Sequence, residues 1–88
     1  PGVAVVTLSK TATDAEAAAA LQTAAGKAAA QALGVALAEV SVSDWQADPR
    51  DPAAFSAVAR SAGGSLAVRV RRDGSAVTAV GVWGGNQQ

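Results

Sequence analysis

Residues 13–34 read TDAEAAAALQTAAGKAAAQALG, and this stretch decides the fold. It opens with a capping box, in which the Thr13 hydroxyl can accept a hydrogen bond from the Glu16 amide while the Glu16 side chain reaches back. Alanine, the best helix former, fills most positions up to Leu33, and Gly34 supplies a left-handed stop. We therefore predict one long helix that lies close on a sheet. Its buried face is predicted to consist of Leu21, Ala25, Ala28 and Ala32.

Apolar runs on either side of this helix are typical of strands. Residues 3–8, VAVVTL, are rich in β-branched side chains, as buried strands are. A second run at residues 38–44 alternates, with Val40 and Val42 on one side and Trp45 with the serines on the other. Two strands joined by a helix of this length predict a parallel, right-handed β-α-β unit.

The segment after these elements is predicted to form a loop and a short second helix. The loop covers residues 48–52, where Asp51 can cap a helix that has Pro52 at its first position. Phe55 lies on the apolar side of this helix, and the glycines at residues 63–64 end it.

Residues 65–83 predict a C-terminal β-hairpin. Its strands flank Asp73-Gly74, a dipeptide that is favoured in two-residue hairpin turns. In that register Val70 faces Val77 on the apolar side of the hairpin.

The length of 88 residues predicts a single domain, residues 1–88, of class α/β (α+β). It combines a β-α-β unit that has one long helix on a sheet, a short second helix and a C-terminal hairpin. A domain of this size buries only about 60–65% of the surface that its unfolded chain exposes. The chain has no Cys, so disulfides cannot stabilise it. We therefore expect a homo-oligomer.

The composition narrows the possible functions. Without His or Cys the chain can build neither a Ser-His-Asp or Cys-His arrangement nor an ordinary zinc site, and we expect no metal and no cofactor. Seven basic and seven acidic residues cancel, so neither nucleic acid nor an anionic membrane is an expected partner. The apolar runs are too short to span a bilayer, and no signal peptide is recognisable, so we expect a cytoplasmic protein.

Pro1 is the residue that points to chemistry. Initiator methionine is ordinarily removed before proline, which would leave a free secondary amine at Pro1. An α-amino group titrates near pH 8 in model peptides, and an apolar pocket or nearby cations lower its pKa. A partly neutral amine at pH 7 suits a general base. The alternative is that Pro1 only marks where the sequence begins.

Pro1, the strand that follows it, the Thr-Asp helix start and residues 33–42, LGVALAEVSV, together resemble the tautomerase superfamily. This family includes 4-oxalocrotonate tautomerase and the macrophage migration inhibitory factor type. The resemblance covers roughly residues 1–45. It implies a cofactor-free isomerase in which Pro1 moves a proton in keto–enol tautomerisation of a small 2-oxo acid, or assists dehalogenation, hydration or decarboxylation. It also implies trimers or hexamers.

The arginines that hold the substrate carboxylate in that family have no counterpart here, because Ala12 and Ser41 stand near the matching positions. Arg69 and Arg71 are two apart on a predicted strand, so both point to one face and could offer forked donors to a carboxylate. Lys10 is a third candidate for this small-molecule carboxylate. For all three cations the alternative is an ordinary solvated surface.

Trp45, or else Trp83, is predicted to form an aromatic wall that keeps water from the proline nitrogen. The alternative for either tryptophan is packing in the core or at a subunit interface. For the whole chain, the alternative to an enzyme is a non-catalytic, small oligomeric ligand-binding or structural α/β module in which Pro1 is incidental.

Overall fold

The computed structural model describes residues 4–7, 13–74 and 76–84. It contains five strands, one long helix and one short 3-10 helix. The strands are β1 (Ala4–Thr7), β2 (Ser41–Asp48), β3 (Asp51–Ser61), β4 (Gly64–Asp73) and β5 (Ala76–Trp83). The long helix, α1, spans Asp14–Leu33, and the 3-10 helix spans Leu37–Glu39.

Helix α1 lies where the sequence places it. The Thr13 hydroxyl accepts from the Glu16 amide at 3.2 Å, and Glu16 Oε1 accepts from the Thr13 amide at 2.9 Å. Gly34, with a φ of 71°, ends the helix. The predicted face is right for Ala25 and Ala28 and wrong for Ala32, which is exposed, while Leu21 is half-buried and packs against the core. The buried residues are Ala17, Ala20, Ala24, Ala25, Gly26, Ala28, Ala29 and Ala30.

The five strands form one antiparallel sheet in the order β1-β5-β4-β3-β2. Strands β1 and β2 therefore lie at opposite edges, with three strands between them. The predicted parallel β-α-β unit, and with it the fold that the tautomerase resemblance implied, is wrong. A helix of 20 residues is about 30 Å long, enough to cross a sheet whose five strands span roughly 20–24 Å.

Strand β3 occupies the segment that was predicted to form a second helix. Residues 52–61, PAAFSAVARS, fit a helical pattern and a strict alternation equally well, because alanine suits both the buried and the exposed positions of either pattern. In the structure Phe55 and Ala57 face α1, whereas Ser56 and Val58 face away from it. Pairing with β2 and β4 along most of this segment outweighs the helix propensity of alanine.

The hairpin of β4 and β5 is present, but its register differs from the predicted one. Val70 pairs with Ala79, two residues further along β5 than Val77. The turn begins at Gly74, which has a φ of 61°, and not at Asp73. A bulge between Arg69 and Val70 raises the shift to three residues, so that Arg69 pairs with Gly81. Both arginines of β4 keep their predicted face because they alternate along the strand with the buried Val68 and Val70.

The core between α1 and the sheet is built mostly from alanine. The largest fully buried side chains in the described part of the chain are Val68, Val70 and Val77. Small side chains let the helix lie close to the sheet, but each one buries little apolar surface. No helix of the described residues is long and apolar enough to cross a membrane.

Helix α1 covers only part of one sheet face. It packs mainly on β5, β4 and β1 and approaches β2 and β3 less closely. A helix with its side chains is about 10–12 Å wide and strands are about 4.8 Å apart, so one helix covers two or three strands. The predicted second helix would have covered the rest. As β3 takes its place, the helix side of β2 and β3 is left partly open.

Candidate ligand-binding groove

Three of the five residues predicted to form a site, Arg69, Arg71 and Trp45, are described by the structure, and Trp45 does not lie with the two arginines. Pro1 and Lys10 lie outside the described residues. Arg69 and Arg71 lie on the open face of the sheet, which we define as the face turned away from α1. Trp45 packs on the opposite side, against the core under α1.

Arg69 and Arg71 point to one face, but carboxylates of this chain already hold both of them. Arg69 Nη1 lies 2.8 Å from Asp48 Oδ2, and Arg71 Nε lies 2.9 Å from Asp51 Oδ2. Arg71 also forms an ion pair with Asp73. A ligand carboxylate on this face would have to displace these aspartates first.

The turn between β2 and β3 holds two of these carboxylates in place. Asp48 Oδ1 accepts from the Arg50 amide at 2.8 Å, and Asp51 Oδ1 accepts from the Ala53 amide at 3.0 Å. These backbone hydrogen bonds, followed by the hydrogen bonds from the arginines of β4, lower the pKa of both carboxyls below the ordinary value of 3.8. Asp51, predicted to cap a helix, instead ties this turn to β4.

Trp45 reaches the helix side of the sheet through a β-bulge. The register between β2 and β3 shifts between Ser43 and Gln46, and Asp44 adopts a left-handed φ of 58°. Aspartate enters this conformation more readily than most residues with a side chain. A bulge re-aims the side chains next to it. The prediction that Trp45 shares a side with the serines is therefore wrong.

Gln22 of α1 fixes the orientation of the Trp45 ring. The indole Nε1 donates to Gln22 Oε1 at 2.9 Å, and Gln22 Nε2 donates to the Val42 carbonyl oxygen at 3.0 Å. On the open face, Arg60 Nη2 lies 2.8 Å from Asp44 Oδ2 and so holds the bulge from the other side. One glutamine thus joins the tryptophan and β2 to the helix.

A groove runs along α1 above β2 and β3. It consists of two adjoining depressions of about 370 and 500 Å³ that share Leu21 and Phe55. Both volumes fall within the roughly 300–1,000 Å³ of small-molecule sites. The first is completed by Ala18, Gln22 and Trp45, and the second by Pro52, Ala53, Arg72 and Gly74.

Arg72 places a cation at one end of the groove. It pairs with Val77, is half-buried, and donates from Nε to the Gly74 carbonyl oxygen at 3.3 Å. No carboxylate of the described residues forms an ion pair with its guanidinium. Sequence reasoning missed Arg72, although strand alternation puts it in phase with Val68 and Val70 on the helix side.

The remaining observations limit what the groove could hold. Among the residues that the structure describes, no group of three or more His, Cys, Asp or Glu side chains could hold a metal ion.

Comparison with models of protein families, with curated proteins and with solved structures finds no match for this chain. The resemblance to the tautomerase superfamily thus stays a prediction from the sequence.

Proposed function

We propose that this chain is a small-ligand-binding module that holds an organic acid with an apolar body in the groove between α1 and strands β2 and β3. The observation that carries the proposal is the position of Arg72, a half-buried cation at one end of a groove with an aromatic wall. The apolar body would lie against Trp45 and Phe55, while the guanidinium donates forked hydrogen bonds to the carboxylate. A cytoplasmic location is part of this proposal.

The charge of the groove favours an acid with a single carboxylate. Arg72 is the one charged side chain among the described residues that line it. The polar side-chain atoms of Gln22 are already engaged by Trp45 and Val42. Binding would therefore remove water from a second carboxylate of the ligand without giving it a hydrogen-bond partner, and this loss costs free energy.

Replacing Arg72 with glutamine tests this proposal, with phenylpyruvate as the probe. We expect Arg72→Gln to weaken its binding about 10- to 150-fold, since hydrogen bonds to charged groups contribute roughly 1.5–3 kcal/mol. Binding is measured by titration in ¹H–¹⁵N NMR spectra, where the indole Nε1–H of Trp45 reports directly on the groove because it is fixed on Gln22.

Arg69→Gln is the matched control, because it removes the same charge from the open face of the sheet. It should leave the affinity for phenylpyruvate unchanged. Benzyl methyl ketone keeps the ring but lacks the carboxylate, so it should bind weakly to all variants. If Arg69→Gln weakens binding and Arg72→Gln does not, the carboxylate lies on the open face and the proposal is wrong.

A second candidate function is tautomerase-type proton transfer on a carbonyl acid, with Pro1 as the general base. The resemblance of residues 1–45 to that family supports it, although the antiparallel sheet lacks the parallel β-α-β unit that the family uses. We expect Pro1→Ala to slow ketonisation of enol-phenylpyruvate by at least about 100-fold, the usual contribution of a general base. The loss of enol absorbance measures this rate. Turnover by Pro1→Ala at the wild-type rate would contradict the catalytic role and leave the groove proposal untouched.

A further inference from the structure

We propose that the open face of the sheet is the contact surface for a second copy of this chain, in a two-fold symmetric dimer. Helix α1 covers the other face, and no element of the described residues packs on this one. Near its middle the apolar side chains of Val58 and Ala67 lie beside Arg69, and Val80 lies at a bulge of β5 next to Gly81, the partner of Arg69. Val80 is 42% exposed in the single chain, at a bulge where the register between β4 and β5 shifts.

The composition of the core gives the physical reason for a partner. The buried residues between α1 and the sheet are mostly alanines, and no side chain larger than valine is fully buried in the described structure. A small domain with so little buried apolar surface gains stability by covering a second face. Disulfides cannot supply that stability, because the chain has no Cys.

The charges that extend from the central strand β4 to the β2 edge of the open face favour a second copy of the same chain. A two-fold contact brings a surface against itself, so only a surface that carries both signs can be self-complementary, whereas a surface of one sign repels itself. The chain also has no net charge that would oppose association. The ion pairs on this side are Arg60 with Asp44, Arg69 with Asp48 and Arg71 with Asp51.

The dimensions of the open face suit a dimer. Five strands about 4.8 Å apart and about eight residues long give a face of roughly 600 Å² in flat projection, and side-chain relief adds to its accessible area. A stable interface buries about 800 Å² on each partner. Association through the β2 edge is disfavoured, because a bulge and the carboxylates of Asp44 and Asp48 interrupt it.

Val80→Asp tests the dimer, because it places a charge on an exposed, large apolar side chain of the proposed contact. We expect sedimentation equilibrium to give the mass of two chains for the wild type. Val80→Asp should raise the dimer dissociation constant at least 100-fold. Leu37→Asp is the matched control, since Leu37 is also a large exposed apolar residue, at 48%, but lies beside Gly26 of α1. It should leave the dimer intact.

Three results would overturn the dimer. The first is a wild-type chain that sediments as a monomer at 1 mM, and the second is a Val80→Asp chain that stays dimeric. The third is a trimer or hexamer, which a single two-fold contact cannot produce. Circular dichroism shows whether each variant is folded. If Val80→Asp is unfolded, Ala67→Arg replaces it in the same experiment. The groove lies on the other side of the sheet, so failure here leaves the ligand proposal standing.

Discussion

Replacing Ala28 with leucine is expected to destabilise the fold by about 3 kcal/mol, because overpacking a well-filled core forces side chains or backbone to move. Ala28 has no exposed surface and belongs to the alanine face of α1 that contacts the sheet. Leucine and alanine have similar helix propensities, so the change isolates packing from helix formation. For a small domain such a loss is a large part of the total stability.

Urea denaturation followed by circular dichroism measures this effect, and Ala32→Leu is the matched control. Ala32 lies one turn further along α1 and is exposed, although the sequence predicted it on the buried face. Its replacement should change the free energy of unfolding by less than about 0.5 kcal/mol. If both variants lose equal stability, the face of α1 that contacts the sheet is not the one that contains Ala28.

The second large effect is expected from Val70→Ala, which should lower the free energy of unfolding by about 2–3 kcal/mol. Val70 is fully buried at the centre of β4. Two methyl groups lost from an apolar site account for roughly 1.6 kcal/mol, and the cavity that they leave adds to this. The neighbouring alanines have no long side chains with which to fill that space.

Val58→Ala is the comparison for Val70→Ala, because it makes the same chemical change on the open face. Val58 is only half-buried, so its loss should cost about 1 kcal/mol or less. Both variants are measured by urea denaturation at a protein concentration low enough for the chain to be monomeric, because Val58 also lies on the proposed dimer surface. A larger loss of stability for Val58→Ala than for Val70→Ala would contradict the assignment of the core to the helix side of the sheet.

The long helix could be predicted because its signals are local. The capping box at Thr13 and Glu16, the alanine run and the stop at Gly34 all act within a few residues of one another. The ends of the buried face were missed, since alanines surround the helix and give its apolar face no clear limits. The packing of β4 and β5 against α1, through Val68, Val70 and Val77, selects which alanines are buried.

The order of the strands could not be predicted, because it depends on contacts between distant parts of the chain. A strand, a helix and a strand in sequence favour a parallel pair, but α1 is long enough to carry the chain across the whole sheet. The segment around Phe55 is equally ambiguous, as its alanines fit both periods. Its pairing with two neighbouring strands decides the outcome, and no local signal shows that pairing.

Part of the candidate groove could have been predicted from the sequence. Alternation along β4 separates Arg72 from Arg69 and Arg71, so its place on the apolar side could have been recognised. That aspartates of the β2–β3 turn hold the other two arginines follows only from the folded chain. Trp45 was misplaced because a bulge at a left-handed aspartate reverses the simple alternation.

The pairing of the first strand with the last has a consequence for folding during synthesis on the ribosome. Strand β1 leaves the exit tunnel first, yet its partner β5 is made only after the other strands. Until residues 76–83 emerge, β1 and the alanine face of α1 have no complete sheet to pack on. The sheet can therefore be completed only after β5 has emerged, because β5 joins β1 to β4.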